Sequence, residues 1–168
     1  MGMESIFRVG QPIMFGMLVV FAIIEMCISA WVTAKYNSRG DAPNSGVRAR
    51  VRYILFCSIW TIVFGSGYLV VFLVAATSFL ASIASHFLFL AVTWILWLAA
   101  AAAITQTLGG SLNCSTQTFF VYCGQLSAIE GFAWLIWVLL TFALVAVLIR
   151  GISSAKQGDG YSGALVDA

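Results

Sequence analysis

The run LAVTWILWLAAAAAIT, residues 90–105, carries no charged side chain and no alternation of polar and apolar positions. It lies inside a longer apolar block, Ile83 to Leu108. Three further blocks run from Pro12 to Ala34, from Tyr53 to Ala76 and from Leu126 to Ile149. An α-helix needs about 20 apolar residues to cross roughly 30 Å of hydrocarbon, and every block is that long. Strands of a membrane barrel would alternate apolar and polar residues over about ten positions. The pattern therefore predicts an all-α, four-transmembrane-helix bundle, a polytopic membrane protein.

Composition agrees. Of 168 residues, 62% are hydrophobic and 8% charged, too few charges to coat a water-soluble domain of this size. The first block is too long for the roughly 7–15-residue core of a signal peptide and contains Glu25, so it reads as a permanent helix. Ile6 stands where a myristoylation signal needs Ser or Thr. Outside the blocks lie an N-terminal segment, 1–11, a basic loop from Lys35 to Arg52, a turn over 77–82 and an uncharged loop over 109–125. A polar tail, 150–168, rich in Gly, Ser and Asp, is expected to be disordered.

Catalytic signatures are missing from these pieces. The chain has no phosphate-binding glycine loop, no CxxC, no HExxH and a single histidine, His86. No catalytic residue, metal site or cofactor is expected, and the net charge of +2 with no basic patch interleaved with aromatics gives no reason to expect nucleic acid as a partner.

Three stretches carry a family resemblance: RVRYILFCSIWTIVFGSGYLV at 50–70, FLFLAVTWILWLAAAAAITQTLGG at 87–110, and the Cys114 to Cys123 loop leading into AIEGFAWLIWVLLTFALVAVLI at 128–149. Together they resemble fungal MARVEL-domain proteins over about residues 8 to 150. The resemblance implies a tetraspan with both termini in the cytosol, associated with membrane apposition, vesicle trafficking and membrane microdomains. Claudin-like proteins and tetraspanins fit less well: the first loop lacks the Trp and Cys pattern of the former, and no CCG triplet marks a large second loop of the latter.

Individual residues point to packing before chemistry. Helices in lipid gain little by hiding apolar surface from one another, so small side chains and polar contacts set their approach. Gly65, Ser66 and Gly67 in the second block, and Ala99, Ala100 and Ala103 in the third, are expected at helix contacts. Trp31 lies near a block end, suited to the interfacial belt. Trp60, Trp94, Trp97, Trp134 and Trp137 sit deeper, as bundle packing with lipid contact or as the lining of a lipid or sterol groove.

Glu25 lies about 15 Å below Lys35 at 1.5 Å per residue, near the bilayer midplane, where an ionised side chain is costly. It is expected to be a protonated acid hydrogen-bonded to a neighbouring helix, with Thr61 and the indoles of Trp60 or Trp94 as partners by depth. A transport pathway, or a lipid-headgroup or subunit contact, is the alternative. Helix glue is favoured because His86 and Glu130 are placed near helix ends, His86 within reach of interfacial water and Glu130 where the helix dipole favours a carboxylate.

Cys27 and Cys57 read as small apolar fillers, with palmitoylation of Cys57 an alternative. Cys114 and Cys123 share one short loop and are expected to form a disulfide, a redox pair being the other reading. Orientation is contested within the sequence. Lys35, Arg39, Arg48, Arg50 and Arg52 would hold the loops in the cytosol by the positive-inside rule. The family resemblance and an oxidising environment for the cysteines put the termini there instead, and that arrangement is preferred.

These readings combine into a non-enzymatic membrane-organising protein of the plasma membrane or secretory pathway. It would act in microdomain organisation or vesicle trafficking by association with lipids, with copies of itself as a homo-oligomer, or with other membrane proteins. The rival is a small oligomeric channel or transporter with Glu25 in its pathway.

Overall fold

The computed structural model describes residues 3–74, 83–110 and 112–157. Four helices account for most of them: α1 (Met3–Arg39), α2 (Ser45–Val74), α3 (Ile83–Leu108) and α4 (Cys123–Gln157). Each contains a stretch long and apolar enough to cross a membrane: Gly10–Arg39, Ser45–Val71, Ala84–Leu108 and Cys123–Ser153. Among the described residues there is no strand.

α1, α2 and α4 outrun their apolar blocks. An apolar block records only the length that hydrocarbon demands, whereas a helix continues through the interface until something stops it. At the end of α1 the stop is Gly40, in the left-handed region at φ 68°, whose N–H donates to the carbonyl of Tyr36 at 3.2 Å. Asn44 then caps α2, its Oδ1 accepting from the Val47 N–H at 2.8 Å. The connection between α1 and α2 is therefore only residues 40–44, and most of the expected loop from Lys35 to Arg52 is helix. The expected disordered tail is likewise corrected over 150–157, which continue α4. The rest of that tail, and the expected turn over 77–82, lie outside the described residues.

The helices pack in a ring, α1 on α2, α2 on α3, α3 on α4 and α4 on α1. One stripe of α1, including Leu18, Ala22, Glu25, Ser29 and Val32, is buried at the three- and four-residue spacing of a single helix face. The outward faces are apolar: Leu88 is 65%, Phe142 64% and Ile95 60% exposed. Large apolar side chains this exposed on every helix would be a liability in water and are suited to lipid.

Small residues divide between the two faces. A Cβ added to Gly65 would stand 3.3 Å from Cγ2 of Val19, so this glycine lets α1 and α2 approach closely. Ala100 is buried in the core beside Ala101, and Ser66 and Ala103 are half-buried. Gly67 and Ala99 face outward instead, and a Cβ on Gly67 would meet nothing within 4 Å. A helix turns about 100° per residue, so a contiguous small-residue run cannot lie wholly on one face.

Candidate functional site

Among the described residues a set of indole–hydroxyl bonds runs between helices, and each of them has one partner on α3. Trp60 Nε1 of α2 donates to Thr93 Oγ1 at 3.2 Å, and Trp97 Nε1 of α3 donates back to Thr61 Oγ1 at 2.9 Å. On the other flank, Trp94 Nε1 donates to Thr141 Oγ1 at 2.8 Å, and Trp134 Nε1 of α4 donates to Thr105 Oγ1 at 2.9 Å. An indole can only donate, whereas a hydroxyl both donates and accepts. Thr61, Thr93 and Thr141 use that freedom, each donating to the carbonyl four residues earlier while accepting an indole proton. These three threonines therefore satisfy their indoles without leaving a hydroxyl proton unbonded.

This network corrects two expectations. Trp97, expected to pack in the bundle with some lipid contact or to line a lipid groove, is fully buried, its N–H donating to the Thr61 oxygen on the neighbouring helix. Glu25 is not bonded to Thr61, Trp60 or Trp94, whose polar atoms are already engaged with Trp97, Thr93 and Thr141 respectively. Both carboxyl oxygens of Glu25 are buried without a hydrogen-bond partner among the described residues. Trp94, Trp134 and Trp137 are half-buried at the α3–α4 seam, with Trp137 centred 5.5 Å from each of the other two rings. Trp31 is 42% exposed near the α1 end, with the Lys35 ammonium 5.5 Å from its ring centre.

The two remaining ionisable groups are deeper or drier than expected. Because α4 starts at Cys123, Glu130 lies two turns inside the helix, and it is buried. The ring contacts Phe21–Phe132 and Trp31–Tyr122 set an antiparallel register of α1 against α4. In that register Glu130 is within about 3 Å of the depth of Glu25. His86 does not reach interfacial water. The residue is 2% exposed, its ring wedged edge-on against Phe15 and Tyr68, and among the described residues neither nitrogen has a hydrogen-bond partner.

At the loop end, Cys114 and Cys123 are disulfide-bonded with their Cα atoms 5.7 Å apart. The bond fixes the residue beside it, Tyr122, which packs on Trp31 and Tyr36 and donates its hydroxyl to Asp41 Oδ2 at 2.9 Å. Burial and the Asp41 carboxylate push the Tyr122 phenol above its ordinary range, so it stays a neutral donor. This contact joins the α1–α2 and α3–α4 connections at this end of the bundle. Of the basic residues there, Arg48 reaches the Tyr36 carbonyl at 3.5 Å and Arg52 donates to Asn37 at 2.7 Å, while Arg39 and Arg50 carry further charge on the same end. Cys27 is exposed and Cys57 is buried in the core.

Among the described residues, lateral grooves open between helices. One, of 440 Å³, lies between α2 and α3, floored by Trp60, Phe64 and Phe89 and ending at the Tyr68 and Ser85 hydroxyls, 2.7 Å apart. Another, of 340 Å³, lies between α1 and α4. Among the described residues no group of three His, Cys, Asp or Glu side chains is placed to hold a metal.

Thr93, Thr105, Thr141 and the Tyr122–Asp41 pair were not legible as site residues from sequence. Threonines inside apolar helices were the available signal: each is a hydroxyl that must find a partner where water is scarce.

A ring of four membrane-length helices with indole–hydroxyl bonds inside and apolar side chains outside defines a tetraspan integral membrane protein. The model of the membrane-associating domain, MARVEL, matches residues 6–152, so the chain belongs to the MARVEL family. Neither the curated proteins nor the solved structures provide a match.

Proposed function

We propose that this protein is a non-enzymatic membrane organiser, acting in microdomain organisation or vesicle trafficking through lateral association with lipids, with itself and with other membrane proteins. The observation that carries this reading is the division of polar and apolar groups. The interhelical indoles spend their donors inside the bundle, leaving an apolar exterior with lateral grooves as the surface on which association takes place. The α2–α3 groove, with aromatic walls and a hydroxyl pair at one end, suits a bound lipid or sterol. Membership of a membrane-associating family supports the same reading. Termini in the cytosol fit it too, because the disulfide then faces an oxidising compartment.

Single-molecule tracking of the tagged chain in its own membrane is the test. Confined, slowly diffusing clusters that disperse when the outward faces of α2 and α4 carry added polar residues are expected. Free monomeric diffusion that such substitutions leave unchanged would overturn the reading.

A channel or transporter is the second reading. It is favoured by one observation, the matched depth of Glu25 and Glu130. Proton or cation flux in reconstituted vesicles that Glu25→Gln abolishes would establish it in place of the first.

A further inference from the structure

Charge is divided unevenly between the two ends of the bundle. Between Glu25 and Glu130 the chain carries five cations, Lys35, Arg39, Arg48, Arg50 and Arg52, and a single acid, Asp41. All six stand at the end where α1 runs into α2. The stretches before Glu25 and after Glu130 carry three charges of each sign. Asp41 does little to cancel the excess at the surface, because its Oδ1 is buried and its Oδ2 accepts from Tyr122. Arg48 and Arg52 donate to the neutral oxygens of Tyr36 and Asn37. Positive charge at this end is therefore unmatched within the described residues, and its complement is an anion from outside the chain.

One face of α1 says which kind of anion. Trp31, Lys35 and Arg39 follow one another at every fourth residue and so climb a single face of the helix. Trp31 is 42% exposed, and the Lys35 ammonium sits 5.5 Å from its ring centre. Among the described residues that ammonium makes no hydrogen bond or ion pair. Arg39 is exposed and touches the Tyr122 hydroxyl, which uses one side of a guanidinium that has five donors. The outward surface changes character at the same level. On α1 it passes from exposed Ile24 and Trp31 to exposed Asn37 and Arg39, and on α2 from Phe56 to Arg52 within about one turn. Such a change marks where hydrocarbon gives way to headgroups, with an indole in the interfacial belt and an ammonium about 6 Å further out, at the level of the lipid phosphates.

We propose that the Trp31–Lys35–Arg39 face of α1 is a binding site for an anionic phospholipid of the surrounding leaflet. The phosphate lies between the Lys35 ammonium and the Arg39 guanidinium, the acyl chains run down past Trp31, and the arginines of α2 add attraction within a screening length of about 10 Å. A zwitterionic lipid presents the same phosphate with its charge cancelled by choline, so the site selects for net negative headgroups. The inference names a lipid class for the lipid association proposed above and rests on that reading. The two fail separately: the isolated chain can select an anionic lipid without clustering in cells, and clusters can form without that selection.

The experiment reconstitutes the full chain in phosphatidylcholine vesicles in which a minor share of the lipid carries brominated acyl chains, as either phosphatidylglycerol or phosphatidylcholine. Bromine quenches an indole on contact, and the quenching that Trp31→Phe abolishes reports this face. Brominated lipid in both leaflets makes the result independent of the direction of insertion. The wild type should prefer phosphatidylglycerol by about fivefold or more, the scale of one basic side chain at an anionic surface. The preference should shrink in about 1 M salt, where the screening length is about 3 Å. Lys35→Gln should lose most of it and Lys35→Arg should keep it. Lys156→Gln, which removes the same charge near the far end of α4, should behave as wild type. Equal quenching by the two lipids in the wild type overturns the proposal. So does a preference that survives Lys35→Gln, or one lost equally in Lys156→Gln. Binding of dextran sulfate to the wild type in phosphatidylcholine vesicles, without any lipid preference, would assign this end to a soluble acidic partner instead. Should Lys35→Gln fail to fold, the wild-type preference and its loss in salt decide the question without it.

Discussion

Thr61 and Trp97 form the most completely buried of the interhelical bonds, and breaking it tests whether the indole–hydroxyl network holds the bundle together. Thr61 is 2% exposed and Trp97 fully buried, and they meet at 2.9 Å. Thr61→Val keeps the side-chain volume but removes the oxygen that accepts the indole proton, leaving a buried donor unsatisfied. Interhelical hydrogen bonds in membranes average about 0.6 kcal/mol in double-mutant cycles and reach about 1.7. A short bond between two buried partners belongs in the upper half of that range, so Thr61→Val should cost about 1–1.5 kcal/mol.

Trp97→Phe loses the same bond and part of a ring from a packed site, and should cost about 2 kcal/mol, less than the roughly 3–5 of a full truncation to alanine. In the double variant no donor is left unsatisfied, so its cost should fall short of the sum of the single costs by about 1 kcal/mol. Reversible unfolding in mixed micelles, followed by loss of helical circular dichroism, measures all three. Costs that add to within about 0.3–0.5 kcal/mol, the behaviour of independent sites, would refute the network as a source of stability.

Ala101→Leu should destabilise the bundle by about 1–3 kcal/mol through overpacking, whereas Ala99→Leu, on the outward face, should be silent in the same assay. Because the Glu25 carboxyl has no partner, both Glu25→Gln and Glu25→Leu should leave stability unchanged or raised; a loss of about 1 kcal/mol in Glu25→Leu would show that a bond holds it. Tyr122→Phe should cost about 1 kcal/mol or somewhat more, since Asp41 loses its donor, and should speed hydrogen exchange over residues 40–44. With Cys27 and Cys57 replaced, an impermeant maleimide should label Cys114 and Cys123 of intact cells only after reduction; labelling without reduction, and only once the cytosolic face is opened, would reverse both the pairing and the orientation.

The architecture was legible because hydrocarbon imposes a length. A run such as residues 90–105 admits only one backbone solution, and counting such runs gives the number of crossings. Helix ends were less legible, since the caps at Asn44 and Gly40 act outside the hydrocarbon, where an apolar count is silent. The side-chain pairing of the interior was not legible at all. Depth alone made Thr61 a candidate partner for Glu25, but depth does not fix rotation about the helix axis, and rotation hands Thr61 to Trp97. Glu130 misled for a related reason: its place in the apolar block put it near an end, and only the start of α4 at Cys123 shows it two turns inside.

These rotations bear on how such a bundle chooses one arrangement. In water, burying the apolar face of a helix selects its orientation; in lipid, every face of α3 is nearly as apolar as its surroundings, and that term is almost flat. Directional bonds must supply the selection. α3 presents Thr93 and Trp97 toward α2 and Trp94 and Thr105 toward α4, so turning it by even 100° would strand two indole donors and remove the hydroxyls that serve two more. Several such bonds failing together cost a few kcal/mol at the membrane scale, comparable to much of the stability of a small domain. Single threonine substitutions should therefore do more than weaken the bundle: they should loosen the rotation of α3 and, with it, the shape of the α2–α3 groove that Trp60 and Phe89 help to form.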